Sequence, residues 1–158
     1  MQFYIYFNKL LNMNLEIRFC IKDDFSSVFN LLKQLWPDKE LSYESLQIVY
    51  NKAIVSEKQR LIVGETNNQI IGFCSLTIKN NLWQVGNLGH VDELIVDDSV
   101  RGKGYGKFLL EKITQIAMEN NCKRIELDSA FHRESAHNFY ENSGYENRAY
   151  LFSKVLDN

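Results

Sequence analysis

The sequence predicts one α/β domain in which helices pack against a mixed β-sheet. Apolar residues recur at every second position in some segments and at steps of three and four in others, the patterns of strands and amphipathic helices. No repeat or low-complexity stretch interrupts the 158 residues, and a single proline leaves no proline-rich linker. The segments follow one another in the order βααβββαβαββ, which predicts six to seven strands and about four helices.

A strand and a helix come first. Apolar and polar residues alternate over residues 15–21, which predicts a half-buried strand. Helical spacing of apolar residues follows over residues 25–36, and Pro37 ends that helix. Asp23 and Asp24 stand just before it, and we expect their carboxylates to cap its free amide groups.

A second helix and three strands occupy the middle of the chain. Residues 42–53 have helical spacing, starting at a serine. The strands 60–65 and 69–79 are joined by the turn-forming residues 66–68, which predicts a hairpin. Residues 90–96 form the next strand, which ends in a continuous apolar run.

The last elements follow a glycine-rich turn at residues 101–106. A helix with inward-facing apolar residues between positions 109 and 117 comes next. We then expect a strand over residues 124–129, a short helix over residues 134–142 and two extended segments within residues 144–156.

Charge and hydropathy argue against two classes of partner. The chain has 18 Lys and Arg residues against 20 Asp and Glu, a formal charge of -2. Nucleic-acid binding needs a cationic surface, and a membrane span needs about 20 consecutive apolar residues. Neither is present in the sequence. We therefore expect no nucleic-acid partner and no membrane partner.

The three cysteines indicate the cellular compartment, and the N-terminal residues indicate where the domain begins. Cys20, Cys74 and Cys122 lack the CxxC spacing of zinc and redox sites, so we expect reduced thiols in a cytoplasmic protein. Residues 1–12 carry their lysine after the apolar part, and we expect no signal peptide. Met13 is an alternative start. We assign residues 1–14 to an N-terminal extension and residues 15–158 to the domain.

The glycine-rich turn is the most informative segment. Its three glycines, at alternate positions between a strand and a helix, leave backbone amides uncovered, and the helix dipole favours an anion there. Arg101, Lys103 and Lys107 add positive charge. This predicts a cradle for a phosphate or pyrophosphate, although a purely geometric tight turn is the alternative. The turn matches neither GxxxxGK[ST] nor GxGxxG.

Two motifs carry a resemblance to a known family. Glu93-Leu94-Ile95-Val96, followed by Arg101-Gly102-Lys103-Gly104-Tyr105-Gly106, resembles the R/Q-x-x-G-x-G/A acetyl-CoA motif of GNAT N-acetyltransferases. Residues 136–145, AHNFYENSGY, resemble the A-x-x-F-Y-E-x-x-G-F/Y segment of the same family. The chain looks most like the small-molecule members that act on aminoalkylphosphonates or aminoglycosides. The resemblance implies their mixed, mostly antiparallel sheet.

The resemblance also implies how acetyl-CoA, the co-substrate, would bind. In the family, the pyrophosphate sits on amides of the glycine turn and the pantetheine arm runs beside the preceding strand. Many members have Asn seven residues before the tyrosine, where this chain has Arg133, and Asn138 is the candidate to replace it. Arg133 itself would pair with a CoA phosphate or with an anionic group of the substrate, unless it is a solvated helix start. The implied cofactor-binding residues are Leu94, Ile95, Val96, Arg101, Gly102, Lys103, Gly104, Tyr105, Gly106, Lys107, Asn138 and Tyr140.

Acetyl transfer to an amine needs a base, a donor to the thioester oxygen and an acid for the leaving sulfur. Glu93 resembles the glutamate that many relatives use as base, and Asp92 is the weaker candidate because strand alternation turns it to the other face. Tyr140 matches the family tyrosine near the sulfur, and its phenol is a protonated donor at neutral pH. The Ile95 amide is the expected donor to the thioester oxygen.

A metal site is not expected. The histidines at positions 90, 132 and 137 lack metal-ligand spacing, because the last two lie on different faces of a helix.

The function that the resemblance implies is acetyl-CoA-dependent transfer of acetyl to a small primary amine, by direct attack within a ternary complex. A peptide or protein N-acetyltransferase and a non-catalytic CoA sensor are the alternatives. We expect the acceptor walls near residues 36–44 and 146–150. A homodimer remains open.

Overall fold

The computed structural model describes residues 14–156 as one five-stranded sheet flanked by four helices, in the strand order β1-β2-β3-β4-β5. The strands are β1 Leu15–Phe19, β2 Gln59–Thr66, β3 Gln69–Asn81, β4 Gly86–Val96 and β5 Cys122–Leu127. The helices are α1 Phe25–Leu35, α2 Tyr43–Ala53, α3 Tyr105–Glu119 and α4 Glu134–Asn142. Apart from Asn14, the predicted N-terminal extension lies outside the described residues.

The sheet is mixed and mostly antiparallel. Strands β1 to β4 pair antiparallel with their neighbours, and β5 runs parallel to β4. The parallel pair is connected through α3, as a crossover connection requires. The predicted α/β class and helix number are confirmed.

The strand count differs from the predicted six to seven. Within residues 14–156 there are five strands, and residues 145–156 form no helix or strand. Beyond the half-buried Tyr145, large apolar side chains of this segment, among them Tyr150, Leu151 and Phe152, are exposed. A strand needs a partner backbone for its amides and carbonyls, and an apolar pattern alone does not supply that partner.

Apolar side chains fill both faces of the sheet. On one face, α1 and α2 pack over Val63, Phe73 and Ile95. On the other, α3 packs over Ile62, Cys74 and Leu76. Each helix contributes the stripe of apolar residues that its three- and four-residue spacing predicts. Within residues 14–156, no helix is both long and apolar enough to cross a bilayer.

Helix α3 lies very close to the sheet because of one glycine. A Cβ atom at Gly72 would lie only 2.6 Å from Cδ1 of the buried Leu109. Because Gly72 has no side chain, the first half of α3 and the turn before it pack closely against β3 and β4.

An ion pair joins the first strand to the first helix. Arg18 binds Asp24 through two hydrogen bonds of 2.7 and 2.9 Å and also donates to Glu65 Oε2 at 3.0 Å. The Ile21 amide donates to Asp24 Oδ2 at 2.8 Å. The predicted cap by Asp24 is wrong, since this carboxylate is taken by Arg18 and by an amide before the helix. At α2, by contrast, Ser42 Oγ accepts from the Ser45 amide at 3.2 Å.

We predict that Asp24→Asn lowers the free energy of unfolding by about 2–3 kcal/mol, because it leaves the Arg18 charge without its main partner. Arg18 is 31% exposed in its side chain, which keeps the loss below that of a fully buried pair. Chemical denaturation at pH 7 measures the difference, and Asp23→Asn, at an exposed neighbouring carboxylate, is the control.

The pH dependence of this difference has a definite sign. Burial acts to raise the pKa of Asp24, but the hydrogen bonds from Arg18 and the Ile21 amide outweigh it and leave the pKa lowered. The stabilisation is therefore present at neutral pH and is lost as the pH falls through the folded-state pKa. A gap between wild type and Asp24→Asn that stayed constant down to strongly acidic pH would contradict this account.

Candidate active site

A β-bulge in β4 shapes the polar side of the site. Ser75 of β3 pairs with Glu93, but the next residue, Leu76, pairs with Val91. Asp92 is therefore an additional residue in β4, with no pairing partner in β3. Such a bulge breaks the alternation of side chains along a strand and redirects them.

The bulge turns two neighbouring carboxylates to the same face of the sheet. The Ser75 hydroxyl donates to the Glu93 carboxylate, and Thr77 Oγ1 donates to Asp92 Oδ2 at 2.6 Å. Ser75 and Thr77 are two residues apart in β3 and share a face. The prediction that Asp92 points to the opposite face from Glu93 is wrong, because it assumed an uninterrupted alternation.

The Glu93 carboxyl has the properties of a base. Burial raises its pKa and the negative charge of Asp92 adds to this, while the Ser75 hydrogen bond and His90 act in the opposite direction. The net shift is upward. A carboxyl whose pKa moves toward neutrality accepts a proton more readily than an ordinary glutamate.

Strand β4 separates from β5 five residues before β4 itself ends. The two strands pair from Asn87 to Val91, whereas β4 continues to Val96. Over its last residues β4 is still paired with β3, through Leu94, Ile95 and Val96. Its other edge has no strand partner among residues 14–156. The sequence prediction was that the backbone of these three residues bonds the cofactor. In the structure, the side of this backbone that faces away from β3 is not paired with a strand of the described chain.

The glycine turn presents backbone to its surroundings. Gly102 and Gly104 have φ angles of 78° and 91°, and nothing lies within 4 Å of a Cβ placed on either. Gly104 is the N-cap of α3, and no side chain caps the helix there. The first amides of α3 are thus available to an anion, except that Lys107 N donates to Gly104 O at 3.1 Å.

The remaining residues of the turn have two roles. The Arg101 side chain folds back on its own segment, with Nε 3.1 Å from Val96 O and Nη2 2.5 Å from Asp98 Oδ1. Lys103 is exposed, whereas a Cβ at Gly106 would lie 3.7 Å from Phe139 of α4. Arg101 therefore orders the turn, and Gly106 faces α4 at a distance that would also accommodate a small side chain.

Gln34, which the sequence analysis missed, secures the approach to this turn. Its Nε2 donates to Asp97 Oδ2, and its Oε1 accepts from the Asp98 amide, both at 3.0 Å. The bond from Gln34 Nε2, together with the hydroxyl and amide bonds from Ser99, lowers the pKa of Asp97. The only sequence signal was a polar residue late in α1, and nothing in the sequence linked it to a segment more than 60 residues away.

Tyr140 lies on α4 among other aromatic rings. Its ring centroid is 5.2 Å from that of Phe139 and 5.9 Å from that of Tyr145. Burial raises the pKa of Tyr140 to about 12, with Cys74 and Tyr145 adding to the effect. The phenol therefore keeps its proton at neutral pH, as an acid requires.

Arg133 precedes α4 and ties it to α1. Its Nη2 donates to the Leu35 carbonyl oxygen at 2.8 Å, and the residue is half-buried. The alternative given for Arg133, a solvated helix start, does not describe this half-buried side chain. The guanidinium has five N–H groups, so this bond leaves most of them for other partners.

A large cleft brings the two predicted catalytic residues together. Its volume is about 1570 Å³, and both Glu93 and Tyr140 line it. Trp36, Asp92, Asp128, Ser129, Arg133 and Tyr145 are also in its walls. The Oγ of Ser129 is buried there without a hydrogen-bond partner among residues 14–156, so it is a polar atom that a ligand could satisfy.

The predicted acceptor walls are partly in place. Residues 146–150 all line the cleft, but of residues 36–44 only Trp36 does. Asn138 is exposed on α4 and does not line the cleft, and neither does the glycine turn. Among residues 14–156, no group of three or more His, Cys, Asp and Glu side chains is arranged to hold a metal ion.

Known proteins share both the sequence pattern and the fold. The chain is 26% identical over 141 residues to the aminoalkylphosphonate N-acetyltransferase of Salmonella typhimurium, covering 89% of this chain and 91% of that protein. It is 30% identical over 135 residues to the glucosamine 6-phosphate N-acetyltransferase of Trypanosoma brucei brucei, covering 84% and 90%.

The fold also matches a solved aminoglycoside acetyltransferase from an uncultured soil metagenomic sample. The TM-score is 0.79 over 94% of this chain and 99% of that one, and the 20% identity supports a shared fold alone. The sequence profile described as the acetyltransferase (GNAT) family matches residues 25–145, which include the bulged strand, the glycine turn and Tyr140. The chain therefore belongs to the GNAT family of N-acetyltransferases.

Proposed function

We propose that the protein transfers the acetyl group of acetyl-CoA to the primary amine of a small molecule, by direct attack within a ternary complex. One observation carries the proposal. The bulge in β4 places the Glu93 carboxyl in the same cleft as the protonated phenol of Tyr140, beside the strand edge that β5 leaves open.

Acetyl-CoA fits the donor side of the site. An extended amide-containing chain can pair with an open strand edge, and Leu94, Ile95 and Val96 offer that edge. A diphosphate suits the exposed backbone of the turn at residues 101–106 and the N-terminus of α3. Lys103 and Lys107 are exposed and add positive charge there.

The proposed chemistry assigns one proton to each side chain. Glu93, directly or through water, takes a proton from the acceptor amine, and the neutral nitrogen attacks the thioester carbon. The amide of Ile95 stabilises the charge that grows on the carbonyl oxygen. As the C–N bond replaces the C–S bond, the nitrogen releases its remaining extra proton to solvent and Tyr140 gives its proton to the leaving sulfur. Solvent later restores the proton of the phenol.

The acceptor we propose is a small amine that carries a phosphate or phosphonate group. Both named relatives act on amines of this kind, according to their names. Arg133 supports the proposal, because it lines the cleft and uses only one described bond, to the Leu35 carbonyl. Arginine binds phosphoryl oxygens through two parallel N–H donors.

A peptide acceptor is the second candidate, favoured by the large volume of the cleft and its exposed apolar walls, such as Trp83 and Phe131. A CoA sensor without turnover is disfavoured, since Glu93 and Tyr140 both line the cleft.

A cytoplasmic location fits the three free cysteines. A homodimer stays a prediction, and it would cover exposed apolar residues such as Tyr150 and Phe152.

We predict that the purified protein releases CoA thiol from acetyl-CoA when given glucosamine 6-phosphate or 2-aminoethylphosphonate. Because the proposed acceptor combines an amine with a phosphoryl group, ethanolamine and unphosphorylated glucosamine should react more slowly. A thiol-reactive dye follows the release. Release with short peptides alone would support the second candidate, and acetyl-CoA binding without release for any amine would overturn the enzymatic proposal.

We predict that Tyr140→Phe lowers kcat by about 10- to 1,000-fold, the range expected for lost acid catalysis. The affinity for acetyl-CoA should stay within about twofold, because the ring and its aromatic contacts remain. Tyr43→Phe removes a phenol hydroxyl from α2 and serves as the control. Steady-state rates and calorimetric affinities measure both effects. A Tyr140→Phe enzyme with wild-type kcat would remove the tyrosine from the mechanism.

A further inference from the structure

A histidine bridges the two strands beside the bulge. His90 of β4 lies opposite Thr77 of β3 and Glu126 of β5. Its Nδ1 is 3.0 Å from Asp92 Oδ1, and its Nε2 is 3.3 Å from Asp128 Oδ2. The proposed mechanism gives this side chain no role, although both of its carboxylate partners line the cleft.

The two carboxylates favour the protonated form of the ring. His90 Nδ1 is hydrogen-bonded to Asp92, and Asp128 Oδ2 lies within ion-pair distance of Nε2. A carboxylate only accepts hydrogen bonds and carries a negative charge, so both neighbours stabilise the imidazolium. The hydrogen bond to Asp92 raises the pKa of His90 against the effect of burial, and the charge of Asp128 acts in the same direction as Asp92.

The bridge stands where the cleft opens. The last paired residues of β4 and β5 are Val91 and Leu127, and each bridged carboxylate belongs to the residue that follows. His90 thus joins the two strands at the point where they separate. The neighbour of Asp92 on the other side is Glu93, turned to the same face by the bulge.

Other charged groups around His90 are already paired with each other. On β3, Lys79 approaches Glu126 of β5, with Nζ 3.4 Å from Oε1. The Thr77 hydroxyl occupies the second oxygen of Asp92. Facing His90 are therefore Thr77 and Lys79 from β3, Asp92 from its own strand, and Glu126 and Asp128 from β5 and its end. His90 is the group that neutralises the carboxylate next to Glu93.

We propose that His90 is a positioning residue for the base Glu93: as an imidazolium bridging Asp92 and Asp128, it neutralises the charge beside Glu93 and holds the cleft edge together. The inference rests on the proposed role of Glu93. Without the bridge, Asp92 faces Glu93 unopposed, and a second negative charge so close disfavours an ionised Glu93. Glu93 then stays protonated at higher pH, where it is unable to take a proton from the amine.

The test is a titration of the Glu93 carboxyl by ¹³C NMR in the full-length protein, which needs no acceptor. In His90→Gln we expect the pKa of Glu93 to rise by about half a pH unit or more, as for the loss of a nearby, partly solvated charge. In Asp92→Asn it should fall. His90→Lys keeps a positive charge and should restore much of the wild-type value, and His132→Gln, at an exposed histidine, should change nothing.

Two outcomes separate this inference from the proposed function. An unchanged Glu93 titration in both His90→Gln and Asp92→Asn would overturn the role of His90. The acidic limb of the pH–rate profile, measured with glucosamine 6-phosphate or 2-aminoethylphosphonate, tests the base itself. If that limb persisted in Glu93→Gln, the base assignment would fail even where the titration behaved as expected, and the inference would fail with it.

Discussion

The separation of β4 from β5 is the constraint on which the rest of the site depends. Two parallel strands that stayed paired to their ends would satisfy the backbone of Leu94, Ile95 and Val96 and leave no edge for a ligand. Because pairing stops at Val91, the sheet opens into a cleft. The bulge just beyond this point turns Asp92 and Glu93 toward the cleft, and Tyr140 lines the cleft from α4. The proposed donor edge and the proposed base both lie at this one irregularity of the sheet.

The sheet is held rigidly around this opening. Gly72 lets α3 pack directly on β3, and Gln34 fixes the segment between the open edge and the glycine turn from the side of α1. Arg133 fixes the start of α4 to the end of the same helix. The elements that bear the proposed binding and catalytic groups are thus tied to one another by contacts outside the proposed reacting groups. Such cross-links support a preorganised site.

Much of the fold was predictable from the sequence, because its elements are local patterns. The helices and the first five strands lie within a few residues of their predicted positions, since apolar spacing encodes which face is buried. The strands expected after residue 144 were not predictable in the same way, because their pairing depends on a partner edge. The glycine turn and the region of Glu93 and Tyr140 were found through motifs. Asp92 was placed on the wrong face, because a bulge shifts the register without a sequence signal. The contacts of His90 and Gln34 were missed, because Asp128 and Asp97 approach these side chains only in the folded chain.

Hydrogen exchange of the protein with and without acetyl-CoA tests the central claim most directly. If the open edge of β4 and the glycine turn bind the cofactor, exchange should slow in two segments, residues 93–96 and 101–107, and stay unchanged in β1 on the far side of the sheet. Unchanged exchange in both segments at a saturating concentration of acetyl-CoA would contradict the account.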